Sequence, residues 1–151
     1  MKSLRDHATR QLIKQRLAGL TAEARPLWGK MDAAQMVCHL TDGILMASGD
    51  RPIDDRSDLV SRTVGKFMVL YVINIPKDVP TPSGLDQMQD GTRPGEFDAD
   101  VRRLFDEMDR LSQLPDDHSW GSHPYFGPMS AREWKILGYK HMDHHLRQFG
   151  L

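Results

Sequence analysis

The stretch "SAREWKILGYKHMDHHLRQ", Ser130 to Gln148, decides how this chain is read. It opens with Ser130 and, three residues on, Glu133, the pair that forms a capping box at a helix start. At 100° per residue, Trp134, Gly138, His141, His145 and Gln148 fall within a band about 80° wide. Leu137 and Phe149 lie at its edges. Arg132, Lys140, Asp143 and Arg147 take the opposite side, so the band is the buried face of an amphipathic helix. It carries two imidazoles one turn apart, His141 and His145, with His144 at its margin.

Three further segments have helical periodicity. Leu4, Ala8, Leu12, Ile13, Leu17 and Leu20 recur at steps of mostly three to four. Ala33, Met36, Val37, Leu40, Ile44 and Ala47 do the same behind Asp32 and Gln35, a second capping box. Phe97, Val101, Leu104, Met108 and Leu111 step by four and three, with Pro115 just past the end. The stretch "DLVSRTVGKFMVLY", Asp58 to Tyr71, reads as a shorter helix whose β-branched end also suits a strand. A connection with four prolines and three glycines follows, residues 76–96, and connections of that length are often functional. No pair of strands with a hairpin turn is visible. The expectation is a single all-α domain over 1–151: a four-helix bundle with a long crossover that carries an extra helix.

Composition narrows the function. Twenty Lys and Arg against 21 Asp and Glu give a net charge of −1, and no electrostatic case for nucleic acid or an anionic membrane. The longest apolar run, Phe67 to Ile73, is too short for a bilayer. The N-terminal residues lack a signal-peptide core, and one cysteine, Cys38, fits a reducing compartment. These features point to the cytoplasm.

Imidazoles at i and i+4 on a buried face suit a shared metal ion; two hydrogen-bonded core histidines are the other reading. His141 is followed by Met142, which excludes an H-E-x-x-H site. None of Glu23, Glu96, Glu107 and Glu133 has a histidine three residues on, which excludes a di-iron carboxylate motif. A third ligand must come from elsewhere. His118 and His123 precede the last helix and lie far along it from His141. His7 is near a helix start. His39 is in mid-helix, just off the apolar stripe beside Gly43 and Met46, and the pattern alone does not decide for it. Gly138 either leaves room for a ligand or allows close helix packing. Asp42 and Gln35, a turn from His39, are either partners for its ring or solvated surface residues.

The chain resembles the DinB-like superfamily, also called YfiT-like metal-dependent hydrolases. "MVCHLTD" places His39 at the family's histidine of the second helix, and "HMDHH" places His141 and His145 at its H-x-x-x-H pair. Leu146 and Arg147 replace the usual Arg-Gly that follows. "HPYFGPMSAREW" is similar to a subgroup known as a domain of unknown function. The resemblance implies a divalent metal (Zn, Ni or Fe) held by His39, His141 and His145. It also implies transferase or hydrolase chemistry on a small electrophilic substrate, with a low-molecular-weight thiol as a candidate co-substrate. A binding protein without catalysis is the alternative. Cys38 lies off the apolar stripe and is no nucleophile on this reading. His123, Tyr125 and Phe126 either line an approach to the site or anchor a loop. Leu45 falls on the outward side of its helix near Cys38, the mark of a candidate homodimer face.

Overall fold

The computed structural model describes residues 1–77 and 79–151, and they are mainly helical. Four α-helices dominate: α1 (His7–Leu17), α2 (Ala33–Ala47), α3 (Phe97–Gln113) and α4 (Ala131–Gln148). Both anticipated capping boxes form. The Asp32 carboxylate accepts from Gln35 N at 2.8 Å while the Gln35 side chain accepts from Asp32 N at 3.0 Å. Ser130 Oγ accepts from Glu133 N at 3.3 Å, and Glu133 Oε2 accepts from Ser130 N at 2.8 Å. Each box satisfies two of the amide donors that a helix start leaves orphaned. The α3 start is held by Glu96, which caps Asp98 N and Ala99 N. Its acidic first turn, Asp98 and Asp100, complements the helix dipole.

The core draws on every helix. Ile13 and Leu17 of α1, Met36 and Leu40 of α2, Leu104, Met108 and Leu111 of α3, and Met142 and Leu146 of α4 are all fully buried. Residues 59–72 of the crossover are helical throughout, with wide π turns at Ser61–Gly65 and Met68–Val72, so the strand alternative for their β-branched end does not hold. Among the described residues, no helix is long and apolar enough to cross a membrane.

Several expectations need correction. The first helix starts at His7, so Leu4 reaches the core from the turn before it, where its amide donates to Lys135 O at 2.9 Å. In the first turn Ala8 is exposed, while Thr9 and Arg10 face inward. The buried Arg10 guanidinium is satisfied by Leu4 O at 2.8 Å, Arg5 O at 3.0 Å and Asp109 at 3.0 Å. A short antiparallel ladder does occur, pairing Ser122 with Pro128 and His123 with Gly127 around a turn that ends at Gly127, φ +64°. It was invisible as a pattern because two residues per strand carry no periodicity.

Helix α2 is enclosed on all sides rather than on one stripe. Helix α3 packs along one flank, burying Cys38 at 3.6 Å from Asp100 and half-burying Leu45. Cys38 therefore does not reach the surface, and Leu45 is only partly exposed. Crossover residues 85–92 cover another flank, where Asp42 is fully buried. Its carboxylate accepts from Thr92 N at 2.8 Å, Thr92 Oγ1 at 2.6 Å and Gln87 Nε2 at 2.9 Å, with Arg51 at 3.4 Å. Neither Asp42 nor Gln35 is a partner of the His39 ring: Asp42 is a buried clamp on the crossover, and Gln35 is a helix cap.

Candidate metal centre

The structure brings together His39 of α2 with His141 and His145 of α4. His39 Nε2 lies 3.0 Å from His141 Nε2, and His145 Nε2 lies 3.1 Å from the same atom. One ligand atom from each of the three falls within 4.8 Å of the others. The rings meet edge to face, with centroids 4.8 to 4.9 Å apart. Gly43 makes room for this on α2, because a Cβ there would sit 3.3 Å from His141 Nδ1.

Two of the rings are oriented by their outer nitrogens. His39 Nδ1–H donates to Leu85 O at 2.8 Å, and His145 Nδ1–H donates to the Gln148 side-chain oxygen at 2.7 Å. Gln148 Nε2 in turn donates to Trp28 O at 2.7 Å, which fixes which way the amide points. With Nδ1 protonated, Nε2 of each ring carries a lone pair aimed at the third histidine. The single proton of neutral His141 cannot satisfy both in full. Burial lowers the proton affinity of all three rings, and the neighbouring imidazoles lower those of His141 and His145 further, so all three favour the neutral form more than a free imidazole does.

This donor set fits a metal ion. Three neutral imidazoles converge through Nε2, two of them braced by a hydrogen bond at Nδ1 of the kind that orients metal-bound histidine. Bonds of about 2.0–2.1 Å at tetrahedral angles place nitrogens about 3.3 Å apart, a few tenths of an ångström wider than the two spacings seen.

The other histidines fall elsewhere. His144 is buried against Trp28, centroids 5.9 Å apart, and stays outside the triad. His118 bonds to Ser48 O at 2.9 Å, and His7 is exposed beside Gln11. Gly138 serves close packing, since a Cβ there would meet Leu4 Cδ1 at 2.6 Å. Burial, and then Asp100, push the Cys38 thiol up to about 12, so it stays protonated.

The triad opens into a cavity of about 650 Å³. Its walls are mostly apolar, among them Ile44, Val69, Val79, Leu85 and Leu137. His123, Tyr125 and Phe126 line the same cavity, so "HPYFG" belongs to the site rather than only to a loop anchor. The sequence left open whether His123 lines the site or anchors a loop, since it precedes α4 and reaches the cavity through the short ladder.

The chain matches, over residues 2–150, the family described as "Protein of unknown function (DUF1569)", and it belongs to that family. No curated protein and no solved structure matches it.

Proposed function

We propose that His39, His141 and His145 bind one divalent metal ion, Zn, Ni or Fe, in a four-helix bundle of the DinB-like kind. The observation that carries this reading is the convergence of three Nε2 atoms while the outer nitrogens of His39 and His145 are committed to Leu85 O and Gln148. Two core histidines stabilised by hydrogen bonding alone would not need a third imidazole aimed at the same point. A metal bound there supplies Lewis acidity, which lowers the pKa of a coordinated water or thiol and polarises a carbonyl.

The chain's own contribution is a set of positions. Leu85 O and Gln148 hold two rings in one tautomer, and the apolar walls exclude bulk water from whatever sits beside the rings. A small electrophilic substrate of mainly apolar surface fits such a cavity. Cys38 is excluded as nucleophile by its burial and protonation. The resemblance to DinB-like proteins implies a transferase or hydrolase reaction, with attack by water or by an added low-molecular-weight thiol.

The test is metal analysis of protein purified without a nickel column. One equivalent of metal is expected in the wild type and in His144→Ala. His141→Ala and His145→Ala should contain none, and His39→Ala much less. Retention of stoichiometric metal by His141→Ala would overturn the assignment. Absence of metal with unchanged small-molecule binding would favour the alternative, a binding protein without catalysis.

A further inference from the structure

The geometry points to His123 as a fixed hydrogen-bond donor, through Nε2–H, to an oxygen atom of an apolar ligand in the cavity. The inference rests on the cavity being the ligand site, and it holds with or without a metal at the triad. Its starting point is the loop of "HPYFG". His123 Nδ1 accepts from two backbone amides, Tyr125 N at 3.1 Å and Phe126 N at 3.2 Å. An imidazole nitrogen that accepts carries no proton, so the neutral ring must hold its one proton on Nε2. The tautomer is thus opposite to that of His39 and His145, whose Nδ1 atoms donate.

The ring is also held still. It stacks on Phe126 at 4.5 Å with planes 12° apart, and it meets Trp134 at 5.6 Å. Trp134 is itself anchored by Nε1–H to Gly121 O at 3.1 Å. Burial lowers the pKa of His123 to about 4, against a small opposing pull from Asp55, so the ring stays neutral at physiological pH. It stands close enough to the triad for its charge, were it protonated, to repel one on His141.

Among the described residues, Nε2 of His123 has no hydrogen-bond partner, although the ring borders a cavity with otherwise mostly apolar walls. A donor presented in such a setting discriminates strongly between ligands that can accept and those that cannot, because the unmatched group is left unsatisfied. A neutral imidazole fixed in this way orients a carbonyl and withdraws electron density from it without delivering a full charge. The ligand class is therefore a small, largely apolar molecule with one accepting oxygen, a ketone or ester being the simplest.

The probe is 4-dimethylaminoacetophenone, whose absorption moves to longer wavelength when its carbonyl accepts a hydrogen bond. Its control is the isostere with C=CH2 in place of C=O. Both are titrated into protein stripped with chelator and into protein given one equivalent of zinc. His123→Asn keeps an acceptor near the Nδ1 position for the two loop amides and removes the Nε2 donor. His123→Gln returns an N–H donor near the Nε2 position. We expect wild type to bind the ketone with the long-wavelength shift, His123→Asn to bind it about 3- to 10-fold more weakly and without the shift, and His123→Gln to recover part of both. The isostere should bind all three proteins alike.

No saturable binding of the ketone by stripped wild type, or equal weakening of ketone and isostere in His123→Asn, would overturn the proposal. The stripped arm decides it, and metal content decides the triad assignment, so each reading can fail alone.

Discussion

Gln148 shows how much one side chain beyond the ligand set controls. It accepts from His145 Nδ1 and donates to Trp28 O, linking the site to the segment before α2. Gln148→Leu should lower metal affinity about 10-fold or more by releasing the His145 ring, a loss measurable by competition with a chromophoric chelator. Cys38 should resist 5,5′-dithiobis(2-nitrobenzoate) in the native protein and react at once in denaturant, since the thiolate is the reactive form. At this scale the sequence was legible where a helix face decides burial. The i, i+4 spacing put His141 and His145 inward and His144 beside them. What it hid was each side chain's partner. Gln148 lay on the buried band with nothing to say that it braces a ring, and Asp42 looked equally suited to solvent.

Among the elements, the crossover has the least obvious role. Residues 83–92 lie over α2, with Leu85 O receiving His39 Nδ1–H and Thr92 and Gln87 bonded to Asp42. Removing the carboxylate in Asp42→Ala would leave the Gln87 and Thr92 donors unmatched, a loss of about 1–3 kcal/mol for each buried donor, while Arg51 keeps its bonds to Gly84 O, Thr92 and Asp90 O. Urea unfolding should show it, and metal affinity should fall with it as the Leu85 carbonyl drifts from His39. The four α-helices were readable from periodicity and caps, because both are local. The enclosure of α2 was not, since it depends on α3 and on a Pro-rich crossover that has no periodicity. The π turns also escaped notice, as one residue more per turn leaves no distinct mark on so short a stretch.

For the whole molecule, the neutral histidines set a pH dependence. His39, His141, His145 and His123 all have depressed pKa values in the fold, whereas the unfolded chain binds protons near the ordinary value of about 6.5. The unfolded state then takes up more protons as pH falls, so the stability these rings contribute is complete above about 6.5 and declines below it. For metal-free protein the urea midpoint should fall steadily from pH 6.5 towards 4, and a flat profile would contradict the burial of these rings. The chain also exposes Leu59, Val60, Val64 and Phe67 along the π-turn stretch. A homodimer, if it forms, is expected to use this face rather than Leu45. Sedimentation should then show a dimer that Val64→Asp with Phe67→Asp dissociates.

His39 and His141 stand 102 positions apart in the chain, yet their rings touch. An ion gripping both would behave as a removable staple across just over two-thirds of the polypeptide. Long spans are where such ties restrict the unfolded chain most, by the logarithm of the enclosed length. The stabilisation would grow with free ion as RT ln(1 + [L]/Kd), about 1.4 kcal/mol for each tenfold increase beyond saturation. The surrounding ion supply would then set how long the chain survives a protease, with chelation shortening its half-life and the His141→Ala protein indifferent to the chelator.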